Sequence, residues 1–336
     1  MGQLELVPRS LAGSIDALVA GCTSRRPMVP ADSKSGARFE WVERGPVRLV
    51  LKYQDARDDW LMRATGDLDG RRFVTLWESG ILDALPPVID HVVVGAATEG
   101  TVGAVLLHDV TDALVPPGDE PLELDQHLRF LDHMAQLHAR FWGWRDVVGL
   151  TPLPVRYVMF SPAVAGAEAA RGSAALVPKA MAEGWARFPT VAPRAAAVVL
   201  SLLQDPGPLV AALDRVPHTL VHGDWKAANL GSHPDGRTVL LDWGEVPGEA
   251  SPIADLAWYL ALNAALLPQS KEATIASYRG ALESHGVGTG NWWDRALQLE
   301  LLGTLVQFGW EKALGGPGPE LDWWEDQAVE GAGWLH

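Results

Sequence analysis

The stretch LVHGDWKAANLGSHPDGRTVLLDWG, Leu220 to Gly244, sets His222, Asp224, Lys226, Asn229 and Asp242 among residues that read as core. Each of the five can hold a metal ion or move a proton. From Asn229 to Asp242 the pattern is strand, turn, strand, with Pro234, Asp235 and Gly236 supplying the turn. A tight hairpin brings its two ends together, so Asn229 and Asp242 should lie side by side, one offering an amide oxygen and the other a carboxylate. These are hard oxygen ligands, suited to a Mg²⁺ ion that also holds substrate phosphates. Asp224, five residues before Asn229 and on a loop, can approach the same point without being forced to ligate the metal.

A hydroxyl that attacks a phosphoryl group needs an acceptor for its proton and cations around the transferred phosphate. Asp224 fits the first role, and Lys226 with the metal fits the second. His222, flanked by apolar Leu220 and Val221, is placed to orient the loop rather than to act as base.

Upstream, RFEWVERGPVRLVLKYQ reads as a hairpin. Phe39 and Trp41 alternate with polar residues, ERGP turns the chain, and Val47, Leu49 and Leu51 alternate on the return strand, with Lys52 on the opposite face beside Arg48 and Val50. A helix is expected over RRFVTLWESGILDAL, where Phe73, Leu76, Trp77, Gly80 and Ile81 form a stripe closed by Pro86 and Pro87. HVVVGA and VGAVLLHDV read as strands. Residues 1–110 thus form a small strand-rich lobe, TDALVPPGDEP supplies a hinge at 111–118, and 119–336 form a larger, mainly helical lobe. That lobe opens with a long amphipathic helix through Leu124, Leu128, Leu131, Met134 and Leu137.

The chain has 336 residues, 48% of them hydrophobic, and 15 Trp, which excludes extensive disorder and allows two lobes. A formal charge of −15 disfavours tracking along nucleic acid and leaves room for a cationic substrate. Cys22 is the single cysteine, excluding an internal disulfide framework and a cysteine-rich zinc site, and it suits a reducing compartment. The N-terminus has no basic segment followed by an apolar run, and no stretch of about 18 apolar residues occurs. A soluble, cytoplasmic protein with no membrane partner is expected.

H-G-D-x-x-x-x-N from His222 to Asn229, followed by D-W-G from Asp242, resembles the catalytic loop and metal-binding motif of the aminoglycoside phosphotransferase and choline kinase-like branch of the protein-kinase-like fold. The similarity continues into GEASPIADLAWYL, where that family places an Asp-Leu-Ala segment. The resemblance implies a two-lobed α+β fold with a small antiparallel-sheet lobe and a larger helical lobe. It makes Asp224 the catalytic base, Asn229 and Asp242 the Mg²⁺ ligands, and Lys52 the contact to the α- and β-phosphates of ATP, or less favourably GTP. It places adenine against the backbone near Asp109, Val110 and Thr111, and has Asp255 brace the catalytic loop.

The chain departs from this pattern at three places. Lys226 stands where many of these small-molecule kinases carry His. The position that should supply an acid to Lys52 holds Phe73, leaving Glu78, Asp67 or Asp69 as substitutes, or no ion pair at all. The loop expected to cover the nucleotide, PADSKSGARF, has one glycine, Gly36, with Ser33 and Ser35 as further phosphate donors or ordinary loop residues. Elsewhere, His133 and His138 are five apart and not on one helix face as a metal pair would be, and His138 is expected to bond a backbone group in the core. Trp225 and Trp243 read as packing around the loop. The acids Glu320, Asp322, Glu325 and Asp326 read as a solvated helix face or as part of an acceptor pocket.

The sequence therefore points to a small-molecule kinase, a monomer or homodimer, with an aminoglycoside-like or other amino-sugar hydroxyl as acceptor. A nucleotide-binding pseudokinase, motivated by Phe73 and the sparse glycine loop, is the alternative.

Overall fold

The computed structural model describes residues 6–29 and 34–336. Its first half is built on a five-stranded antiparallel sheet of β1 (Ser24–Met28), β2 (Arg38–Arg44), β3 (Val47–Gln54), β5 (Val93–Glu99) and β6 (Val102–His108), in the order β1-β2-β3-β6-β5. The hairpin expected from Phe39 to Lys52 is β2–β3, turning at Gly45 with φ of +58°. Period-two alternation divides β3 between two faces. Leu49, Leu51 and Tyr53 pack with Val42, Ala104 and Leu106 against Ile15 and Leu18 of the short helix α1 (Ile15–Leu18). Lys52, directly opposite Phe39 on β2 and Val105 on β6, lies on the other face.

Helix α2 (Trp60–Thr65) starts at Asp59, whose side chain accepts from the Leu61 and Met62 amides. Helix α3 (Arg71–Ser79) is shorter than the expected run to Leu85. Gly80 stops it in the left-handed region (φ +75°), where a Cβ would collide with the Val7 carbonyl, and only a single 3₁₀ turn, Leu82–Ala84, follows.

The long helix expected after the hinge is α4 (Leu124–Arg140). Helices α5 (Leu153–Val158), α6 (Pro162–Ala170), α7 (Leu176–Val191), α8 (Ala196–Gln204) and α9 (Gly207–Leu213) follow. Beyond the site come α10 (Ile253–Leu262), α11 (Lys271–Ser284), α12 (Trp293–Gly315) and α13 (Pro319–Ala332). Strand β7 (Thr219–Val221) pairs with β10 (Gly248–Ala250), while β8 (Leu230–Ser232) and β9 (Thr238–Leu240) form the second expected hairpin. Strand β4 (Ile89–Asp90), from the first half of the chain, lies parallel to β9.

The two-lobed α+β organisation is thus the one expected, but its hydrophobic core is shared. Trp60, Phe73, Leu76 and Trp77 belong to one buried cluster with Trp225, Trp243, Leu302 and Trp324. The connecting segment is stitched to the large lobe, since the Val115 amide donates to the Leu230 carbonyl at 2.9 Å. Among the described residues no single helix is long and apolar enough to cross a membrane.

Candidate active site

The β8–β9 hairpin fixes the site. Leu230 pairs with Leu240, and the Leu241 amide donates to the Asn229 carbonyl at 2.9 Å, so Asn229 and Asp242 emerge together from the open end. Asp242 has φ of +62°, a left-handed conformation uncommon for a residue with a side chain and found where the surroundings impose it. Asn229 Nδ2 donates to the Asp224 carbonyl at 3.0 Å and to Asp224 Oδ2 at 2.8 Å, which leaves the Asn229 amide oxygen for a ligand. Lys52 occupies Asp242 Oδ1, leaving the second carboxylate oxygen. One amide and one carboxylate oxygen fit a Mg²⁺ ion that completes its shell with water and phosphate. No group of three His, Cys, Asp or Glu among the described residues could hold a metal ion.

Asp224 is held from three sides. Trp258 Nε1 donates to Oδ1 at 3.0 Å, and Lys226 Nζ and Asn229 Nδ2 donate to Oδ2, each at 2.8 Å. The carboxylate therefore has a fixed orientation. Burial works against the Lys226 charge, but the Asp224 carboxylate outweighs it and holds the ammonium above its ordinary range. Burial likewise opposes the Asp242 charge, and Lys52 beside it keeps that carboxyl below the usual range.

Beneath the loop, Asp255 accepts from the His222 amide at 2.8 Å and the Gly223 amide at 2.7 Å, and His138 Nε2 lies 3.2 Å from it. This is the brace expected of Asp255. Burial opposes its charge, and the contact with His138 nonetheless holds it below the ordinary carboxylate range. His138 thus partners side chains, Asp255 and the Tyr278 hydroxyl, rather than the expected backbone group. His222, expected to orient the loop, bonds backbone groups on both sides. Its Nε2 donates to the Leu241 carbonyl at 2.8 Å and its Nδ1 accepts from the Asp224 amide at 3.2 Å, a pattern that requires a neutral ring. Burial depresses its pKa in the same sense. Gly223 (φ +83°) is required because a Cβ would strike the Val246 carbonyl. Trp243 packs edge-on against His222 at 4.7 Å, with Trp225 at 6.4 Å, so both are packing residues.

The acid partner of Lys52 differs from every expected one. Lys52 Nζ donates to Glu245 Oε1 at 2.5 Å and to Asp242 Oδ1 at 2.9 Å, with 6% of the lysine side chain and 9% of the Glu245 side chain exposed. Glu78 instead pairs with Arg71 on its own helix, and Asp67 accepts from the Arg71 and Arg72 amides at the start of α3. Phe73 is turned toward Gly244, where an added Cβ would come within 2.9 Å of the Phe73 Cβ. Burial raises the Glu245 pKa to about 7, while the Lys52 ammonium works in the opposite sense. Lys52, Phe73, Leu107, Asp242 and Gly244 line a narrow cleft of about 10 Å³.

Asp109, Val110 and Thr111 follow β6, whose Leu107 lines that cleft. The Asp109 amide donates to the Arg48 carbonyl at 3.3 Å and the Thr111 amide to Asp109 Oδ1 at 3.1 Å. Ser33 lies outside the described residues, and Gly36 sits against the Asp58 carbonyl. His133 bonds the Thr238 hydroxyl at 2.7 Å, apart from His138. The C-terminal acids are largely engaged. Glu320 pairs with Lys271 and Lys312, Asp326 with Arg194, and Glu325 accepts from the Arg194 and Ala195 amides.

Trp258, Glu245 and Asn263, whose Oδ1 accepts from the Ala227 amide at 2.8 Å, were not visible as site residues in the sequence. Trp258 had a signal: it lies three residues after Asp255 on α10, close to the same face of the helix.

No family model matches the chain, and no curated protein matches it. Among solved structures it is similar to choline kinase LicA from Streptococcus pneumoniae, at 12% identity over 95% of each chain with a TM-score of 0.49. It is similar to an aminoglycoside-3'-phosphotransferase of type VIII at 16% identity, covering 86% of this chain and 94% of that one, with a TM-score of 0.49. A microcompartment-associated aminopropanol kinase is similar at 16% identity over 93% and 90% of the two chains, again with a TM-score of 0.49. In the chain's own order of strands and helices, from the Lys52 strand through the connecting segment to the hairpin of Asn229 and Asp242, the fold is a two-lobed α+β one, a small antiparallel sheet followed by a mainly helical part.

Proposed function

We propose that the chain is a small-molecule kinase that transfers the γ-phosphoryl group of ATP to a hydroxyl. The observation that carries this is the pairing of Lys52 with Asp242 and of Asn229 with Asp224 by side-chain hydrogen bonds, the two pairs being joined by the hairpin that brings Asn229 and Asp242 together. A protein that only bound nucleotide would have no use for a carboxylate oriented as Asp224 is.

Asp224 takes the hydroxyl proton as the acceptor oxygen forms its bond to the γ-phosphorus and the bond to the bridging oxygen of ADP breaks. Lys52 holds the α- and β-phosphates. Lys226, beside Asp224, neutralises charge on the phosphoryl group in transit. Asn229 and Asp242 would hold Mg²⁺, which when bound neutralises the phosphate oxygens. The backbone near Asp109, Val110 and Thr111 would receive the base.

For the acceptor, an aminoglycoside-like or other hydroxyl-rich amino sugar is the class to test first. A net charge of −15 favours a cationic acceptor. A recess of about 330 Å³ lined by Ala261, Leu262, Glu311, Lys312 and Glu320 continues the α10 face that presents Trp258 to Asp224. The pseudokinase alternative rested on Phe73 standing where an acid belongs and on the sparse glycine loop. Glu245 supplies an acid to Lys52, which answers the first motive.

The test is a coupled ADP-release screen against aminoglycosides, nucleoside antibiotics, amino sugars and choline, with Asp224→Asn as control and mass spectrometry of any product. Acceptor-dependent ADP release that D224N abolishes supports the proposal. MgATP binding with no release above the D224N level across the panel would favour a binding-only protein.

A further inference from the structure

Helix α3 brings no carboxylate to Lys52. In place of a carboxylate, α3 brings a guanidinium, since Arg72 Nη1 donates to the Glu245 carbonyl at 2.8 Å and to the Thr65 hydroxyl at 2.9 Å. The carboxylate comes from the segment after D-W-G, where Glu245 reaches Lys52 at 2.5 Å. Arg72, Lys52 and Glu245 are all at least nine-tenths buried. The Glu245 amide also donates to the Asp242 carbonyl at 3.2 Å, so its backbone is fixed at both ends, by Arg72 and by the turn it shares with Asp242. Gly244 leaves room for Phe73 and the Gln54 amide to close over this segment.

We infer that Glu245 is the positioning residue for Lys52, and that Arg72 places Glu245, so that the lysine is aligned from the large lobe rather than by an acid on α3. This rests on the kinase proposal above. Without Glu245, Lys52 keeps only Asp242 and is drawn wholly onto a proposed metal ligand, away from the phosphates.

The test is a double-mutant cycle on MgATP affinity, measured by isothermal titration calorimetry on full-length protein, with thermal melts to confirm folding. E245Q should weaken MgATP binding by about tenfold or more, E245D should recover most of that loss, and E78Q should leave the affinity unchanged. Because Glu245 acts through Lys52, E245Q added to K52M should cost less than about twofold further. Additive losses in the cycle, or an E245Q protein that binds as the wild type does, would overturn the inference. R72M offers a second route should E245Q fold poorly, and it should weaken MgATP binding in the same sense in the wild-type background and not in K52M. No MgATP binding by the wild type would instead overturn the kinase proposal, and this inference with it.

Discussion

Trp258 donates its indole N–H to Asp224 Oδ1 across 3.0 Å, so the carboxylate proposed to accept a proton is aimed by a residue of the central helix α10. The bond leaves the charge of Asp224 in place and restricts its rotation. Trp258→Phe keeps an aromatic ring, though a smaller one, and removes the donor. Turnover should fall about 10- to 100-fold, the usual worth of a hydrogen bond to a charged group, with the KM for nucleotide little changed. Steady-state kinetics that show the loss in KM instead of kcat would contradict this role.

Asp224→Asn should leave MgATP affinity within about threefold of wild type and lower turnover about 10²- to 10⁴-fold, the range for losing a positioned general base. Paired calorimetry and single-turnover kinetics separate the two effects, and unchanged turnover would remove the mechanism.

Asn229→Ala takes away one proposed Mg²⁺ oxygen and also the two donors to Asp224. The Mg²⁺ concentration giving half-maximal activity should rise at least about tenfold. A titration of activity against free Mg²⁺ checks it, and an unshifted midpoint would exclude Asn229 as a ligand.

Asp255 accepts two backbone amides and contacts His138 in a fully buried setting. Asp255→Asn should cost about 3 kcal/mol or more of stability, because buried donors lose a charged acceptor. The Asp255 pKa is depressed, so its stabilisation is present above the ordinary carboxylate range and is lost as pH falls through the folded-state value. Wild-type melting temperature should therefore fall more steeply on acidification than that of the variant.

Glu300 behaves in the opposite sense. It accepts from the Tyr157 hydroxyl at 2.8 Å, its other oxygen has no partner among the described residues, and burial raises its pKa to about 7. Arg156 and Asp255 are the nearby charges. A raised acid stabilises the fold fully below its unfolded-state pKa, and that contribution is lost as pH rises to about 7. Glu300→Gln should gain in melting temperature relative to wild type between pH 5 and 8. A constant difference over that window would refute the assignment.

The hairpin from Asn229 to Asp242 and the Lys52 strand were legible in the sequence because each is local, and alternation and turn residues specify them within a few residues; the bonds of Asp255 to the His222 and Gly223 amides span over thirty residues, and only the family resemblance pointed to them. Glu245 was not legible as the partner of Lys52, since the two are 193 residues apart and the pairing depends on how Phe73 packs at Gly244. The end of α3 was misplaced because the apolar stripe continues past Gly80, and only the approach of Val7, distant in sequence, shows why the helix stops there. His138 was read as a core residue bonding backbone, because nothing in its neighbourhood announces Tyr278 or Asp255.

Strand β4 has a mechanical consequence. Ile89 and Asp90 come from the nucleotide-side half of the molecule, yet they hydrogen-bond as a third strand to the hairpin that carries Asn229 and Asp242. The two halves are joined there by backbone hydrogen bonds, whereas at the Arg63–Glu168 pair they meet through side chains.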